Sequence, residues 1–506
     1  MPSERGTKVK KNVFWAIWSQ LLVFAVGLIV PRFILTSYGS EVNGLLTTVT
    51  QIFTYVGLLE AGIGNASLNA LYRPLADSDQ YKASDIFSAT QKYFRKVTLI
   101  YLICIVAVSF IYPLCISCEL SYIQVFLIIF FQGLSGAVTF FFVAAYRQVL
   151  AADGRNYIVS NINLVIYIMT SAVKIALMGL GFDVVMLQGG YLLVHCCQIL
   201  VFVVYMRKHY PWLERHNDPD MKALSQRSAF LVHEISGTIF SSTDAFVLST
   251  FCNLMVTSIY SVYNMVFVAL NSLINALNGG LHYILGQNYG KGREHYIAIH
   301  DAYDSLYMAV VFSLFSVAYV LIGPFVNIYT KGVNDIEYVD YMLPILFVSI
   351  QLLSCGRATS ARLINIAGHA KATQMRSLLE AAINLTVSIA LSNVIGIYGV
   401  LLGTIIALLY RSNDIIIYAN RKILNRSPWK TYSKFLSNLA VFGCIVLIER
   451  VTRSYIQNLC SSIAMFTVCG VIFTLISASL YLGVAMLNNS KVRKLVEGRL
   501  RHKKAV

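Results

Sequence analysis

Apolar residues run through this sequence in long blocks separated by short polar or basic stretches. A helix needs about 20 mostly apolar residues to cross the hydrocarbon layer of a bilayer. Blocks of that kind fall at 13–37, 43–70, 97–115, 122–146, 157–180, 184–206, 229–251, 254–288, 305–330, 338–366, 377–395, 397–419, 434–450 and 460–487. The pattern predicts an all-α, polytopic membrane protein of about 14 transmembrane helices. The range is 12–14, because only a short turn at Gly396 separates 377–395 from 397–419 and because 254–288 is long and polar on one side.

Polar residues inside a span cost free energy, so their arrangement carries information. In 254–288, Tyr260, Asn264, Asn271, Asn275, Asn278 and His282 fall within a sector of about 60° at 100° per residue. The stripe is about 33 Å long at 1.5 Å per residue, the depth of the hydrocarbon layer. Isolated asparagines serve as helix–helix glue. An unbroken stripe fits better with a wall facing water or a polar solute. Shorter stripes recur at Asn163, Tyr167, Thr170 and Lys174; at Asn43, Thr47, Thr50, Gln51, Thr54 and Asn65; and at Glu234, Thr238, Ser241 and Asp244. Together they predict a central chamber lined by hydroxyls and amides, a surface suited to sugars.

Composition agrees with the pattern: 57% of residues are hydrophobic and 13% charged, about half the charge of a typical soluble domain. The net charge of +16 does not call for nucleic acid, because the basic residues track the ends of the spans. Nearly all lie on the side of the N-terminus; only Lys331, Arg450 and Arg453 fall opposite, and Arg32 and Lys174 fall within spans. By the positive-inside rule both termini are cytoplasmic. The basic tail from Lys491 to Lys504 then lies against anionic lipid. Residues 1–11 followed by about 25 apolar positions read as a retained first span rather than a signal peptide.

Arg32, after Pro31, serves either outer-headgroup snorkelling or cavity placement. Lys174, followed by Ile175, Ala176, Leu177 and Met178, is expected to hold a functional or paired role. The acids singled out within spans are Glu60, Glu234 and Asp244, as partners for these cations or carriers of a coupling proton. His195 reads as a packed histidine, and Arg357 and Arg362 as snorkelling toward the inner end of their span. Cys115-x-x-Cys118 is a weak redox or metal pattern. The sequence has no Walker loop, no His-Glu-x-x-His motif and no stretch long enough for a soluble catalytic domain. No enzyme activity, cofactor or metal is therefore expected.

The stretch Pro31-Arg32-x6-Gly39, Asn43-Gly44 and Gly57-Leu58-Leu59-Glu60-Ala61-Gly62-Ile63-Gly64-Asn65-Ala66 resembles the opening of bacterial polysaccharide flippases, the O-antigen and capsule exporters of the multidrug/oligosaccharidyl-lipid/polysaccharide (MOP) superfamily. Ser242-Thr243-Asp244 and Ser258-Ile259-Tyr260-Ser261-Val262-Tyr263 are similar as well. The resemblance implies two six-helix lobes around a central cavity, here 1–206 and 229–419. A cytoplasmic connector would occupy 207–228, two additional spans 420–487 and a tail 488–506. It implies a polyprenyl-diphosphate-linked oligosaccharide moved across the bacterial inner membrane by alternating access. Membrane lipids, a polysaccharide polymerase and chain-length machinery would be the partners. Within that frame the substrate cavity is expected from Arg32, Thr47, Gln51, Lys174, Tyr260, Asn264, Asn271, Asn275, Asn278 and His282. Ion coupling is expected from Glu60, Glu234 and Asp244. A multidrug or organic-cation exporter and a peptidoglycan lipid-precursor flippase remain alternatives.

Overall fold

The computed structural model describes residues 2–214, 219, 221, 243–289, 292–494 and 497; the side chains of 2–21, 59–62, 65, 276–284, 286–287 and 370–371 lie outside that description. The described residues are helical apart from turns and short connections, with no strand among them. Twelve of the helices are long and apolar enough to cross a membrane, and the chain is a multi-pass membrane protein. One of the twelve, Leu22–Leu58, contains a backbone break, and the span expected at 229–251 falls mostly outside the described residues.

The chain divides into two compact units, Met1–Ser258 and Ile259–Val506. The first unit holds α1 (Pro2–Ala76), α2 (Gln80–Cys115), α3 (Tyr122–Phe142), α4 (Ala144–Ala152), α5 (Asn156–Gly179), α6 (Val184–His209), the helical residues 243–251 (α7) and the start of α8 (Leu254–Tyr289). In the second unit α8 continues. It is followed by α9 (Arg293–Tyr329), α10 (Leu343–Gly356), α11 (Ala358–Ile366), α12 (Ala370–Ile395), α13 (Ile397–Tyr418), α14 (Trp429–Leu459) and α15 (Ile463–Asn488).

Expected spans and observed helices differ in instructive ways. The connection expected between 37 and 43 shrinks to one residue: α1 breaks at Gly39, whose φ of 82° is a conformation that only glycine adopts without strain. The helices α2 and α9 begin well before their apolar blocks, so polar turns extend both of them. The block 122–146 splits into α3 and α4 at Val143, and the block 338–366 splits into α10 and α11 at Arg357. The helices α4 and α11 end alike. Gly154 (φ 71°) and Gly368 (φ 76°) stand 214 positions apart. Gly154 N donates to Ala151 O and Arg155 N to Leu150 O, while Gly368 N donates to Asn365 O and His369 N to Ile364 O. Each glycine closes its helix with the same left-handed cap, and each cap leads into the next long helix. The two units thus carry the same helix–turn–helix piece.

Residues of the opening motif join α1 to α7 and α8. Asn43 donates to Ser258 Oγ at 2.8 Å. A Cβ on Gly44 would stand 1.8 Å from the Leu254 carbonyl oxygen. Tyr55 and Thr243 share a hydroxyl–hydroxyl bond of 2.5 Å. Asn43 and Ser258, both quoted for the resemblance, therefore meet along a seam inside the first unit to which Gly44 and Thr243 also belong.

Candidate functional site

The first unit contains an open cavity of ≈ 670 Å³, within the range of about 300–1,000 Å³ usual for ligand pockets. Helix periodicity shows how α1 contributes. At 100° per residue Leu45, Val49 and Ile52 share one side of the helix, and all three are buried in an apolar cluster with Ile128, Ile129 and Leu187. Asn43, Thr47, Thr50 and Gln51 fall about opposite, and all four line the cavity. The same logic holds on α5, where Asn163, Tyr167, Thr170 and Lys174 follow the 4, 3, 4 spacing of one face and all four line the cavity. The helices α3 and α6 add Gln132, Ser135, Gln188, Tyr191, His195 and Gln198, and α4 adds Arg147.

Two polar relays stitch the wall together. Gln132 donates through Nε2 to Thr50 Oγ1 at 2.9 Å and accepts from Gln188 Nε2 at 3.4 Å, linking α1, α3 and α6. Asn163 Oδ1 accepts from Gln198 Nε2 at 3.0 Å and from Arg147 Nη2 at 3.4 Å, linking α4, α5 and α6. The relays leave capacity unused. Thr170 Oγ1, Gln188 Oε1 and Gln198 Oε1 are buried without a partner at hydrogen-bonding geometry. Buried polar atoms are nearly always satisfied, so several in one polar cavity mark a place for water or a hydroxyl-rich ligand.

Among the described lining residues the charges have one sign. Arg147 and Lys174 line the cavity, and no Asp or Glu among the described residues does. The Lys174 ammonium stands 4.6 Å from the centre of the Tyr191 ring, a cation–π contact. Arg147 faces the Phe202 ring at 5.8 Å. His195 lies against Tyr191, with ring centres 4.4 Å apart, so the residue expected to be plain packing is part of the wall.

Thr47, Gln51 and Lys174 of the expected cavity set thus stand around one cavity. Arg32 is not among the lining residues, although its neighbour Pro31 is. The α8 stripe divides. Tyr260 is buried against Phe347, with ring centres 5.5 Å apart. Asn271 donates to Gln351 at 2.6 Å, Asn264 is half-buried and Asn275 exposed. The side chains of Asn278, His282 and Glu60 lie outside the described set, as does Glu234, and Asp244 is buried. Cys115 is exposed and Cys118 partly buried. Burial pushes the Cys118 thiol up to about 11, away from the thiolate that metal or redox chemistry uses. Among the described residues no group of three His, Cys, Asp or Glu is placed to hold a metal.

The second unit is knitted by charge, and of its members the sequence pattern marks only Arg357 and Arg362. Glu380 of α12 meets Arg357 at 2.7 Å and Arg411 of α13 at 3.6 Å. Arg376 and Arg411 both bind Asp414. Near the start of α9, Asp301 holds Arg426 at 2.7 Å and Lys434 at 3.0 Å, and Asp304 takes Lys434 at 3.1 Å and the Thr359 hydroxyl at 2.6 Å. Arg357 and Arg362 do not snorkel: Arg357 is paired with Glu380, and Arg362 binds the Tyr303 hydroxyl. A carboxylate two helices away is a stronger attraction than a distant headgroup, and one helix read alone does not reveal it.

No protein-family model and no curated protein matches the sequence. Solved structures do match the fold. They include the lipid II flippase MurJ in an inward closed conformation (TM-score 0.70, 12% identity, covering 93% of this chain and 98% of that one). An inward-facing multidrug resistance MATE family transporter of the MOP superfamily also matches (TM-score 0.62, 14% identity, 81% and 98%). A third is a MOP superfamily transporter from Pyrococcus furiosus described for a binding pocket of reverse polarity (TM-score 0.57, 12% identity, 82% and 96%). At these identities the likeness is one of fold: the chain has the fold of MOP superfamily transporters.

Proposed function

We propose that this chain is a flippase that moves a polyprenyl-diphosphate-linked oligosaccharide from the inner to the outer leaflet of a bacterial cytoplasmic membrane, with both termini in the cytoplasm, for surface polysaccharide synthesis. The observation that carries the reading is the cavity of the first unit, where hydroxyls and amides stand among apolar side chains and Arg147 and Lys174 are present with no described carboxylate. A sugar head does not cross about 30 Å of hydrocarbon uncovered. Amides and hydroxyls with free hydrogen-bonding capacity replace its water, and cations suit a diphosphate. The two units alternate in exposing the site, and the prenyl tail stays in lipid.

The same observation weighs against the organic-cation exporter, whose cavity calls for negative charge. The peptidoglycan precursor is also a lipid diphosphate carrying sugars, and the extensive fold match to the lipid II flippase favours it as the second reading. Deleting the gene separates the three. Lipid-linked glycan is expected to accumulate on the inner leaflet while surface polysaccharide disappears and cell-wall synthesis continues. Loss of cell-wall precursor export selects the second reading, and unchanged levels of both glycans with altered drug tolerance select the exporter.

A further inference from the structure

Of the six Ser and Thr residues that line the cavity of the first unit, five donate their hydroxyl hydrogen to a carbonyl three or four residues back on their own helix. Thr47 donates to Asn43 O and Thr50 to Leu46 O, each at 2.8 Å. Ser135 donates to Gln132 O at 2.6 Å, Thr139 to Ser135 O at 3.0 Å and Ser171 to Tyr167 O at 2.8 Å. Such back-bonding uses the hydrogen and leaves lone pairs on the oxygen. The sixth, Thr170, has a buried oxygen without a partner at hydrogen-bonding geometry.

The amide relays run the same way, and the bonds fix their direction. Thr50 has given its hydrogen to Leu46 and can only accept, so Gln132 turns Nε2 toward it. Gln132 Oε1 then faces Gln188, which donates through Nε2 and keeps Oε1 as a buried acceptor without a partner. In the second relay Asn163 Oδ1 accepts from Arg147, a side chain with donors only, and from Gln198 Nε2. Gln198 Oε1 is again a buried acceptor without a partner. Lys174 brings donors for a group such as a phosphate, whereas the five back-bonded hydroxyls and both relay ends have acceptors to offer.

From this we infer that the cavity holds its glycan by the donors of the sugar: the substrate enters with free hydroxyl and amide N–H groups, and an O-acylated or O-methylated form is rejected; the inference rests on the flippase reading above. Capping a hydroxyl removes its hydrogen and leaves an oxygen that only accepts, which has nothing to give the Gln188 and Gln198 oxygens. A site built to hydrogen-bond a substrate hydroxyl discriminates strongly against the analogue that lacks it, because the site's own buried groups are then left unpaired.

The test starts from the lipid-linked glycan that accumulates in the deletion strain, released by mild acid and analysed by mass. Sugars free of O-acyl and O-methyl groups are the expected result. A capped glycan overturns this inference and leaves the flippase reading standing, whereas absence of any accumulated glycan overturns both. A second measurement uses the purified full-length protein in lipid nanodiscs, with the accumulated lipid-linked glycan and a chemically O-acetylated portion of it as probes. The uncapped form is expected to bind about tenfold or more tighter, and equal affinity overturns the inference. Thr170→Val and Gln188→Met each remove one acceptor at similar volume and are expected to narrow that preference several-fold. Both are checked for a wild-type melting curve, and either one decides if the other does not fold. A preference that the folded variants leave unchanged is a rejection of bulk rather than of lost donors, and overturns the inference.

Discussion

Gly44 shows how closely the backbone of α1 approaches the start of α8. A Cβ there would stand 1.8 Å from Leu254 O and 2.7 Å from the Leu254 carbonyl carbon, both main-chain atoms that no rotamer change relieves. Overpacking of a tight site costs about 1–3 kcal/mol and sometimes more, so Gly44→Ala is expected to lower the melting temperature of the purified protein or abolish its folded yield. A wild-type melting curve from the variant would show that the seam opens without cost. The neighbouring residue acts by chemistry rather than space: Asn43 donates to Ser258 while also lining the cavity. The sequence flags both residues as part of a motif but not what they do, because their partners lie more than 200 positions away.

Helices were legible from the sequence where their surroundings are lipid and poorly legible where they are protein. The apolar blocks recover the membrane-crossing parts of α2, α3, α5, α6, α9 and α15, since each has a lipid-facing side that must be apolar along its length. The polar extensions of α2 and α9, and the breaks at Val143 and Arg357, escape that reading because apolar content says nothing about backbone continuity. The acids are unevenly legible for the same reason. Glu380 and Asp414 lie inside the blocks 377–395 and 397–419, yet each is a single charge diluted in a long apolar window. Their meaning comes from Arg357, Arg376 and Arg411, contributed by α11's cap, α12 and α13. Removing one member of a buried ionic cluster strands the others. Glu380→Ala leaves Arg357 and Arg411 without their shared carboxylate and is expected to destabilise the protein by about 3–5 kcal/mol. Glu380→Gln, which keeps the shape and one acceptor, costs less. Thermal unfolding of the two variants beside wild type checks the order, and equal stability of all three would mean that the cluster contributes nothing to the fold.

Across the molecule, the repeated helix–turn–helix piece exposes a difference of interior between the two units. Counting 214 positions on from the cavity face of α5, Thr170 corresponds to Asn384 and Lys174 to Ser388 on α12. In the second unit both positions are closed. Asn384 is fully buried and donates to Thr404 at 2.9 Å, while Ser388, also fully buried, donates to the Val400 carbonyl at 3.1 Å. Nearby, a Cβ on Gly403 would meet the Ser388 side chain at 2.3 Å; glycine there lets α12 and α13 pack closely against each other. In the first unit the same face borders the hollow, with Thr170 and Lys174 in place of the asparagine and the serine. The stripes on α1 and α5 revealed that hollow in the sequence. Of the stripe on α8, Tyr260 turns to Phe347 and Asn271 to Gln351, both within the second unit. Periodicity identifies a polar face without saying whether water or another helix covers it. Solvent access does say so. In a chain whose native cysteines are replaced, Thr170→Cys and Lys174→Cys are expected to react with a membrane-impermeant thiol reagent applied to purified protein. Asn384→Cys and Ser388→Cys are expected to stay protected until the protein is unfolded. Equal protection at all four positions would remove the wet cavity from the first unit, and equal reaction would remove the distinction between the two interiors.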